Sequence, residues 1–565
     1  MSGGETVGKA VDQILQKVNL ASIPDEQTRE GVHECLRQLL NLVEALNTEL
    51  QKAQAEILAL RQRLQGKGGG GPSASQRETS SSGSRSSEKE RAEGEEREHG
   101  KRSKLDRIRI DREEVLKVDR TTLPPDAEFK GYAEVVVQDL RLSTDHVKFR
   151  KEKYYAASTG KTYLAPLPAG YSGEFGPNLK SLCLVLVHEC NMTEPKVAAL
   201  LENLGVVISA GQISNLLRAG QEEFQKEKDE IVEAGLSSSP WQHLDDTGTR
   251  VDGENWHGHG LCNPWYTAYF TTPRKDRMTV LDVLRNQRER VFRLHGEALE
   301  LLHQWGVAKW VREGVTRLAW EEDESELELN RRLEGIPDLG GVAHDRIAEA
   351  AAIAAYHADR KQPVVRLLVC DDAKQFRWLT EELALCWIHD GRHYQNLEPC
   401  VGQHREKLEA FRKKYWEYYR HLRTYTRAPT PEGAAERREQ FETLFSTRTG
   451  YEVLDRRIAK TQTHRRQLLQ VLQHPEISLH NNPGELEMRR RVRKRVVSYG
   501  PRSAQGAQVW DAMETLIGTA KKLGVNIFHY LRDRVSGARA MPSLAGLIGE
   551  KAKALNLGSS WATTT

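Results

Sequence analysis

Apolar positions near the N-terminus follow a helical repeat. Leu36, Leu39, Val43, Leu46, Leu50, Ala53, Ile57, Leu60 and Leu64 alternate at intervals of three and four residues. That spacing keeps one stripe turned toward a partner helix over about four heptads. A helix packed within its own protein carries the same stripe, but residues 66–104 hold almost no apolar side chain to offset the entropy of ordering. The pattern therefore predicts a tethered, self-associating coiled coil over 1–66 and a disordered linker over 67–104.

The period then falls to two. YAEVVVQDL, HVKFRKEKYYA and KTYLAPL, with a turn at Ser158-Thr159-Gly160, predict a small antiparallel β unit within 105–175. Over 176–235 the period is helical again. Thr193, with Pro195 after it, opens a helix that Gly205 closes, and VVIS leads into AGQISNLLRAGQEEFQ with Ile213, Leu216 and Leu217 facing inward. Helix, tight turn and helix suit a helix-turn-helix whose second helix would offer Gln212, Asn215 and Arg218 to a DNA groove; an ordinary helical hairpin gives the same string.

From 236 the chain is α/β. WQHLDDTGTRV, GLCNPWYTAYFTT, TVLDVL and PVVRLLVC are expected strands, the last apolar enough to be buried on both faces. A core would then run over 236–399 with a helical insertion at 282–360. A second insertion covers 400–474, a completing segment 475–535, and a small polar tail 536–565.

Composition narrows the class. A chain of 565 residues suits three to four modules. It has no apolar run long enough to span a bilayer and no signal-peptide start, so a cytoplasmic protein without a membrane partner is expected. Seven dispersed cysteines with no CxxC pair fit a reducing interior. The 83 basic and 80 acidic residues nearly cancel, but RRRVRKR (Arg489–Arg495) and HREKLEAFRKKYWEYYRHLRTYTR (His404–Arg427) concentrate cations and aromatics. Such segments fit a polyanion, or a solvated helix face.

Phosphodiester cleavage by two divalent ions needs carboxylates brought together from separate elements. Asp245 lies in the first α/β strand, Asp371 follows VRLLVC at a strand end, and Glu485 opens a late helix. Each also has a structural explanation. Asp245-Asp246 before Thr247-Gly248 suits a turn, Asp371-Asp372 suits a helix cap, and Asn482-Pro483-Gly484-Glu485 suits a capping box.

Five blocks add a resemblance. DDTGTRVDG (245–253), LVCDDAKQF (368–376), CWIHDGRHY (386–394), HNNPGE (480–485) and ETLIGTAKKLGVNIFHYL (514–531) resemble, in order, blocks of transposases of the insertion sequence sixty-six family. EFGPNLKSL and GVVISAGQISNLL resemble that family's central region. The resemblance implies a ribonuclease-H-like core split by helical insertions, with Asp245, Asp371 and Glu485 holding two Mg²⁺ or Mn²⁺ ions and Asp372 as the alternative second ligand. It implies a DDE transposase of the bacterial nucleoid that cuts at terminal inverted repeats and joins the ends to target DNA. Homo-oligomerisation and accessory proteins go with that role, and Arg489, Arg490, Arg491, Arg493, Lys494 and Arg495 become candidate phosphate contacts. Rivals are a transposase-derived DNA-binding regulator with an inactive core, and a nuclease of the same fold without strand transfer.

The chain departs from the family pattern at four places. Residues 105–175 contain no cysteine, which excludes the family's zinc module for lack of ligands. His480 stands for the usual Asp, Leu486 for the usual Arg, and 282–360 is long. Cys386, Trp387, His389 and Arg392 read as a structural motif, because two potential ligands without partners suggest packing rather than a metal.

Overall fold

The computed structural model describes residues 25–65, 108–119, 127–168 and 173–555, with Trp561 and a few isolated positions; the linker expected at 67–104 lies outside them. Helix α1 spans Glu26–Gln65, and β1 (Lys153–Ala156) pairs antiparallel with β2 (Lys161–Leu164). Helices α2 (Pro177–His188), α3 (Glu194–Asn203), α4 (Ala210–Arg218) and α5 (Gln221–Ser237) lead into β3 (Trp241–Val251), β4 (Glu254–Cys262) and β5 (Thr267–Thr272). Then come α6 (Arg277–Leu284), α7 (Gly296–Gln304), α8 (Lys309–Arg317), α9 (Glu326–Leu333) and α10 (Gly341–Ala358), followed by β6 (Leu367–Cys370) and β7 (Glu382–Leu385). The rest is helical: α11 (Trp387–Gln395), α12 (Gly402–Arg427), α13 (Pro431–Phe445), α14 (Glu452–Thr463), α15 (Arg465–Leu468), α16 (Asn482–Ser498), α17 (Ala504–Leu523), α18 (Ile527–Val535) and α19 (Leu544–Lys553).

Five strands form one mixed sheet in the order β5-β4-β3-β6-β7. The β3–β4 and β4–β5 pairs are antiparallel, and β3–β6 and β6–β7 are parallel. Strand β6 shows why both faces are covered: Leu368 and Cys370 join one apolar cluster while Leu367 and Val369 join another. The first cluster takes α2–α10 and α17–α19; the second is built mainly from α11–α14.

The open edge at β5 is closed by side chains rather than by a strand. Asp511, Thr515 and Thr519 recur every fourth residue along α17 and accept the N–H groups of Thr271 (2.7 Å), Tyr269 (3.0 Å) and Thr267 (3.2 Å). These are the donors an edge strand would otherwise leave unpaired.

Several expectations are corrected. TVLDVL is the body of α6, because Asp276 accepts the Thr279 N–H at 2.8 Å and starts a helix. YAEVVVQDL is exposed and pairs with no strand among the described residues, so the β unit shrinks to a hairpin of two four-residue strands. The aromatic residues of His404–Arg427 do not face a polyanion. Phe411, Tyr415, Trp416, Tyr418, Tyr419 and Tyr425 are buried in the second core, which accounts for their period. The tail is not merely polar, since α19 buries Leu544 and Ile548 and Trp561 stacks on His474 at 3.8 Å.

Helix α1 is docked, not only tethered. Glu44 accepts the N–H groups of Cys400 (3.1 Å) and Val401 (2.9 Å) and faces His404 Nδ1 at 3.2 Å. Asn41 donates to Gly450 O at 3.2 Å and accepts Glu452 N–H at 3.0 Å. The docked face is thus Leu40, Asn41, Glu44 and Asn47, a mostly polar set that an apolar-period reading overlooks, while Leu39, Leu46, Leu50, Ile57 and Leu60 stay half or more exposed.

Candidate functional site

Asp245 sits mid-strand in β3, paired with Gly260 of β4. Asp371 is the first residue beyond β6, and its Oδ1 accepts the Ala373 N–H at 3.0 Å. Glu485 lies in the first turn of α16. Small residues let that helix approach the sheet. A Cβ added at Gly484 would lie 3.3 Å from Asp245 Cβ, and one at Gly260 would meet Met488 Cε at 2.4 Å. Arg491 lies over Gly258, so positions 488 and 491 face the glycines of β4 and position 484 faces Asp245 of β3.

Asn481 sets where this helix begins. It is fully buried, and its side chain leaves the helix uncapped; its Nδ2 donates to Leu244 O at 2.7 Å and its Oδ1 meets His243 Nδ1 at 3.1 Å. Because the Asn481 amide nitrogen is spent on Leu244, its oxygen faces His243, which must donate from Nδ1. Burial pushes His243 down to about 3, so the ring is neutral. The capping-box explanation of Glu485 fails here, since the cap is Asn481 and its polar atoms cross to β3.

The carboxylates interact. Burial raises the Asp245 pKa well above the carboxylate range, and the charges of Asp371, Glu485 and Asp246 add to that. Burial also raises Asp371, opposed by the Ala373 N–H. Among the described residues neither Asp245 nor Asp371 has an ion-pair partner, whereas Asp246 faces Lys275 (3.4 Å) and accepts from Gln375 (2.6 Å). Two half-buried acids without an ion-pair partner, and a third alongside, suit a hard divalent cation. Asp372, the alternative ligand, turns to Arg377 (2.5 Å), Lys460 (3.8 Å) and His464 (3.6 Å) of the helical insertion.

Glu485 has one cationic neighbour, Arg392, which approaches one carboxylate oxygen at 3.3 Å, and His389 Nδ1 lies 3.6 Å from the other. Arg392 also donates to His389 Nε2 at 2.9 Å, and guanidinium has no acceptor, so the imidazole proton sits on Nδ1 facing Glu485. Reading Cys386 and His389 as ligands without a third partner is corrected by tertiary structure. Cys386, His389 and Glu485 bring ligand atoms within 4.8 Å of one another. That set suits a softer cation than Mg²⁺, but burial pushes the Cys386 thiol up to about 11, and Arg392 opposes a cation there. Trp387 is structural: fully buried, it donates Nε1–H to Leu468 O at 2.8 Å.

The basic run divides. Arg491 and Lys494 are buried and neutralised: Arg491 by Asp511 and Glu514 (2.5 Å each), Lys494 by Glu514 (3.1 Å). They are corrected to structural ties between α16 and α17, since a buried, paired cation cannot reach phosphate. Arg490 faces Glu189 at 3.5 Å and Arg495 donates to Gly248 O, while Arg493 is exposed. In α4, Ile213 and Leu217 are buried and Asn215 and Arg218 exposed; Gln212 is spent on a capping box with Ser209. Asn481, Gly484 and the glycines of β4 were missed by sequence reasoning, although glycine within a strand is a signal of close approach.

No protein-family model matches the chain. It is 33% identical over 327 residues to the uncharacterized protein y4jO of Sinorhizobium fredii, a stretch covering 57% of this chain and the whole of that protein. With a full-length relative matched at that identity, the chain belongs to the same family as y4jO.

Proposed function

We propose that this protein is a DNA transposase of the insertion sequence sixty-six type, a two-metal enzyme with a ribonuclease-H-like core. The observation that carries the reading is the meeting of Asp245, Asp371 and Glu485, from two adjacent parallel strands and a helix packed on them, where two of the acids have no ion-pair partner among the described residues. The sheet order β5-β4-β3-β6-β7, with three antiparallel strands followed by two parallel ones, supports a ribonuclease-H-like core.

Mg²⁺ or Mn²⁺, two ions per site, would supply polarisation of the phosphoryl oxygen and acidification of water there. Asp245 and Asp371 hold their positions because one is inside a strand and the other is fixed by the Ala373 N–H. Asn481 anchors the start of the helix that carries Glu485. Arg392 offsets the charge of Glu485, with the neutral ring of His389 beside it. The reaction proposed is hydrolysis at an element end, leaving a 3′-hydroxyl that attacks a target phosphodiester and expels its 3′-oxygen. Asn215 and Arg218 of α4, with Arg493, are the DNA contacts this reading favours, and the exposed stripe of α1 is where protomers would pair. Accessory proteins and a site of action on the bacterial nucleoid belong to the same proposal.

The test is incubation of purified protein with element-end DNA and a supercoiled target, with Mg²⁺ or Mn²⁺. Cleaved ends joined to target support the reading. Cleavage without joining indicates a nuclease, and end binding without cleavage indicates a regulator with an inactive core.

A further inference from the structure

The β1–β2 hairpin has no interior. Tyr154 pairs directly with Tyr163, Tyr155 with Thr162 and Ala156 with Lys161. Cross-strand partners share a face, so Tyr154, Ala156, Lys161 and Tyr163 make one face and Lys153, Tyr155, Thr162 and Leu164 the other. Neither face is covered: Tyr154, Tyr155, Tyr163 and Leu164 are 54–68% exposed. An isolated two-stranded hairpin is marginal in water, and one with aromatic side chains exposed on both faces gains stability only from a partner.

Charge indicates which partner. Lys148, Arg150, Lys151, Lys153 and Lys161 surround the ribbon, against one acid, Glu152. None of these five cations forms an ion pair among the described residues, although most exposed cations elsewhere on α1 and α9 have found one. The segment is anchored where it enters the molecule: Phe149 packs edge-on against Tyr171 at 5.3 Å, and Thr144 lies 4.0 Å from where a Cβ on Gly205 would stand, in the turn between α3 and α4. The segment that leads into the ribbon thus packs at the turn before α4, the helix that exposes Asn215 and Arg218.

We propose that the ribbon and its entering strand, residues 148–164, form a second contact for duplex DNA. The major groove admits a two-stranded β-ribbon; five unpaired cations neutralise phosphates, and exposed tyrosines supply contact area on sugars and base edges. The inference deepens the reading of the chain as a DNA enzyme and rests on DNA binding alone, not on the cutting chemistry.

The test uses the full chain and a fluorescent mixed-sequence duplex, with affinity followed by anisotropy across a salt series. Lys151→Gln/Lys153→Gln/Lys161→Gln should weaken binding by about tenfold or more near 0.1 M salt and reduce the log–log salt slope by about 2 to 3, as expected for three lost phosphate contacts. Tyr154→Ala/Tyr163→Ala should weaken binding without changing the slope. Melting temperatures should stay at the wild-type value, because these side chains touch no core. Variants that bind as wild type, with the same slope, would overturn the ribbon while leaving the enzyme reading intact. A loss confined to single-stranded DNA, or a fall in oligomeric mass instead of DNA affinity, would overturn the duplex assignment. Wild-type protein that binds no duplex would remove both the ribbon proposal and the reading beneath it.

Discussion

Glu485 carries two opposed demands at the residue scale. It lies beside two half-buried acids, yet Arg392 pairs with its carboxylate at 3.3 Å and His389 Nδ1 lies 3.6 Å away. A divalent cation must compete with Arg392 for that oxygen, so Arg392→Gln should lower the Mg²⁺ concentration for half-maximal cleavage several-fold, measured by metal titration of end cleavage. Asp245→Asn keeps size and removes one charge from the proposed ligand set. It should reduce cleavage by a factor on the order of 10³ or more while end binding survives. It should also stabilise the metal-free protein at neutral pH. The folded-state pKa of Asp245 is raised, so its favourable contribution is complete below the ordinary value of 3.8 and lost as pH rises through the folded value. Removing the charge therefore raises the melting temperature at pH 7.5, with the gain fading toward pH 3.8. Equal melting temperatures at both pH values would mean that the site tolerates the charge without a cation.

Elements are coupled through α17. Its Asp511, Thr515 and Thr519 close the β5 edge, while Asp511 and Glu514 bind Arg491 on α16, the helix whose first turn holds Glu485. Arg491→Met would leave two buried acids short of their partner and should cost about 3–5 kcal/mol, read as an earlier midpoint in urea. A surface phosphate contact would leave the midpoint in place. Helix α1 is two-faced in the same sense. Glu44→Ala removes the acceptor of two backbone N–H groups and should cost about 1–3 kcal/mol of docking, seen as faster hydrogen exchange over residues 26–50 and at Cys400 and Val401, with no change in the core over 408–445. Leu46→Glu/Leu50→Glu acts on the opposite, exposed face and should lower the oligomeric mass in light scattering while exchange at Glu44 is unchanged. Deleting the whole helix would confuse the two effects, because it also uncovers Val401.

On the scale of the whole molecule, pH acts through buried histidines. Burial holds His188 well below its ordinary range, His243 at about 3 and His259 at about 4. The hydroxyl of Thr272 donates to Arg274 O at 2.6 Å, so His259 must donate to it from Nε2 at 2.8 Å and stays neutral in the fold. Groups with depressed folded pKa values contribute stability that is complete above the ordinary 6.5 and lost as pH falls through the folded values. The unfolding midpoint should therefore decline from about pH 6.5 toward pH 4. Asp245 and Asp371 oppose that decline, since their protonation on acidification favours the fold, so the decline should be steeper in Asp245→Asn. A midpoint flat over this range would show that the histidines are hydrated.

Local pattern was enough for the α/β character, for β3 and β6 with Asp245 inside one and Asp371 just past the other, and for a helix opening near Glu485. Period, strand-length apolar runs and Pro-Gly starts are properties of neighbouring residues. TVLDVL was ambiguous for the same reason, because six residues with four apolar positions carry no clear period and the deciding Asp276 cap lies outside the run. Packing against distant segments settled the rest. The aromatics of α12 became core rather than DNA surface when α11 and α13 covered them, and Arg491 and Lys494 became ties when α17 arrived with Asp511 and Glu514. Asn481 reaches 237 residues back to Leu244, and Glu44 reaches 356 residues forward to Cys400. Both are polar, and burial of a polar group depends on a partner that no local period announces.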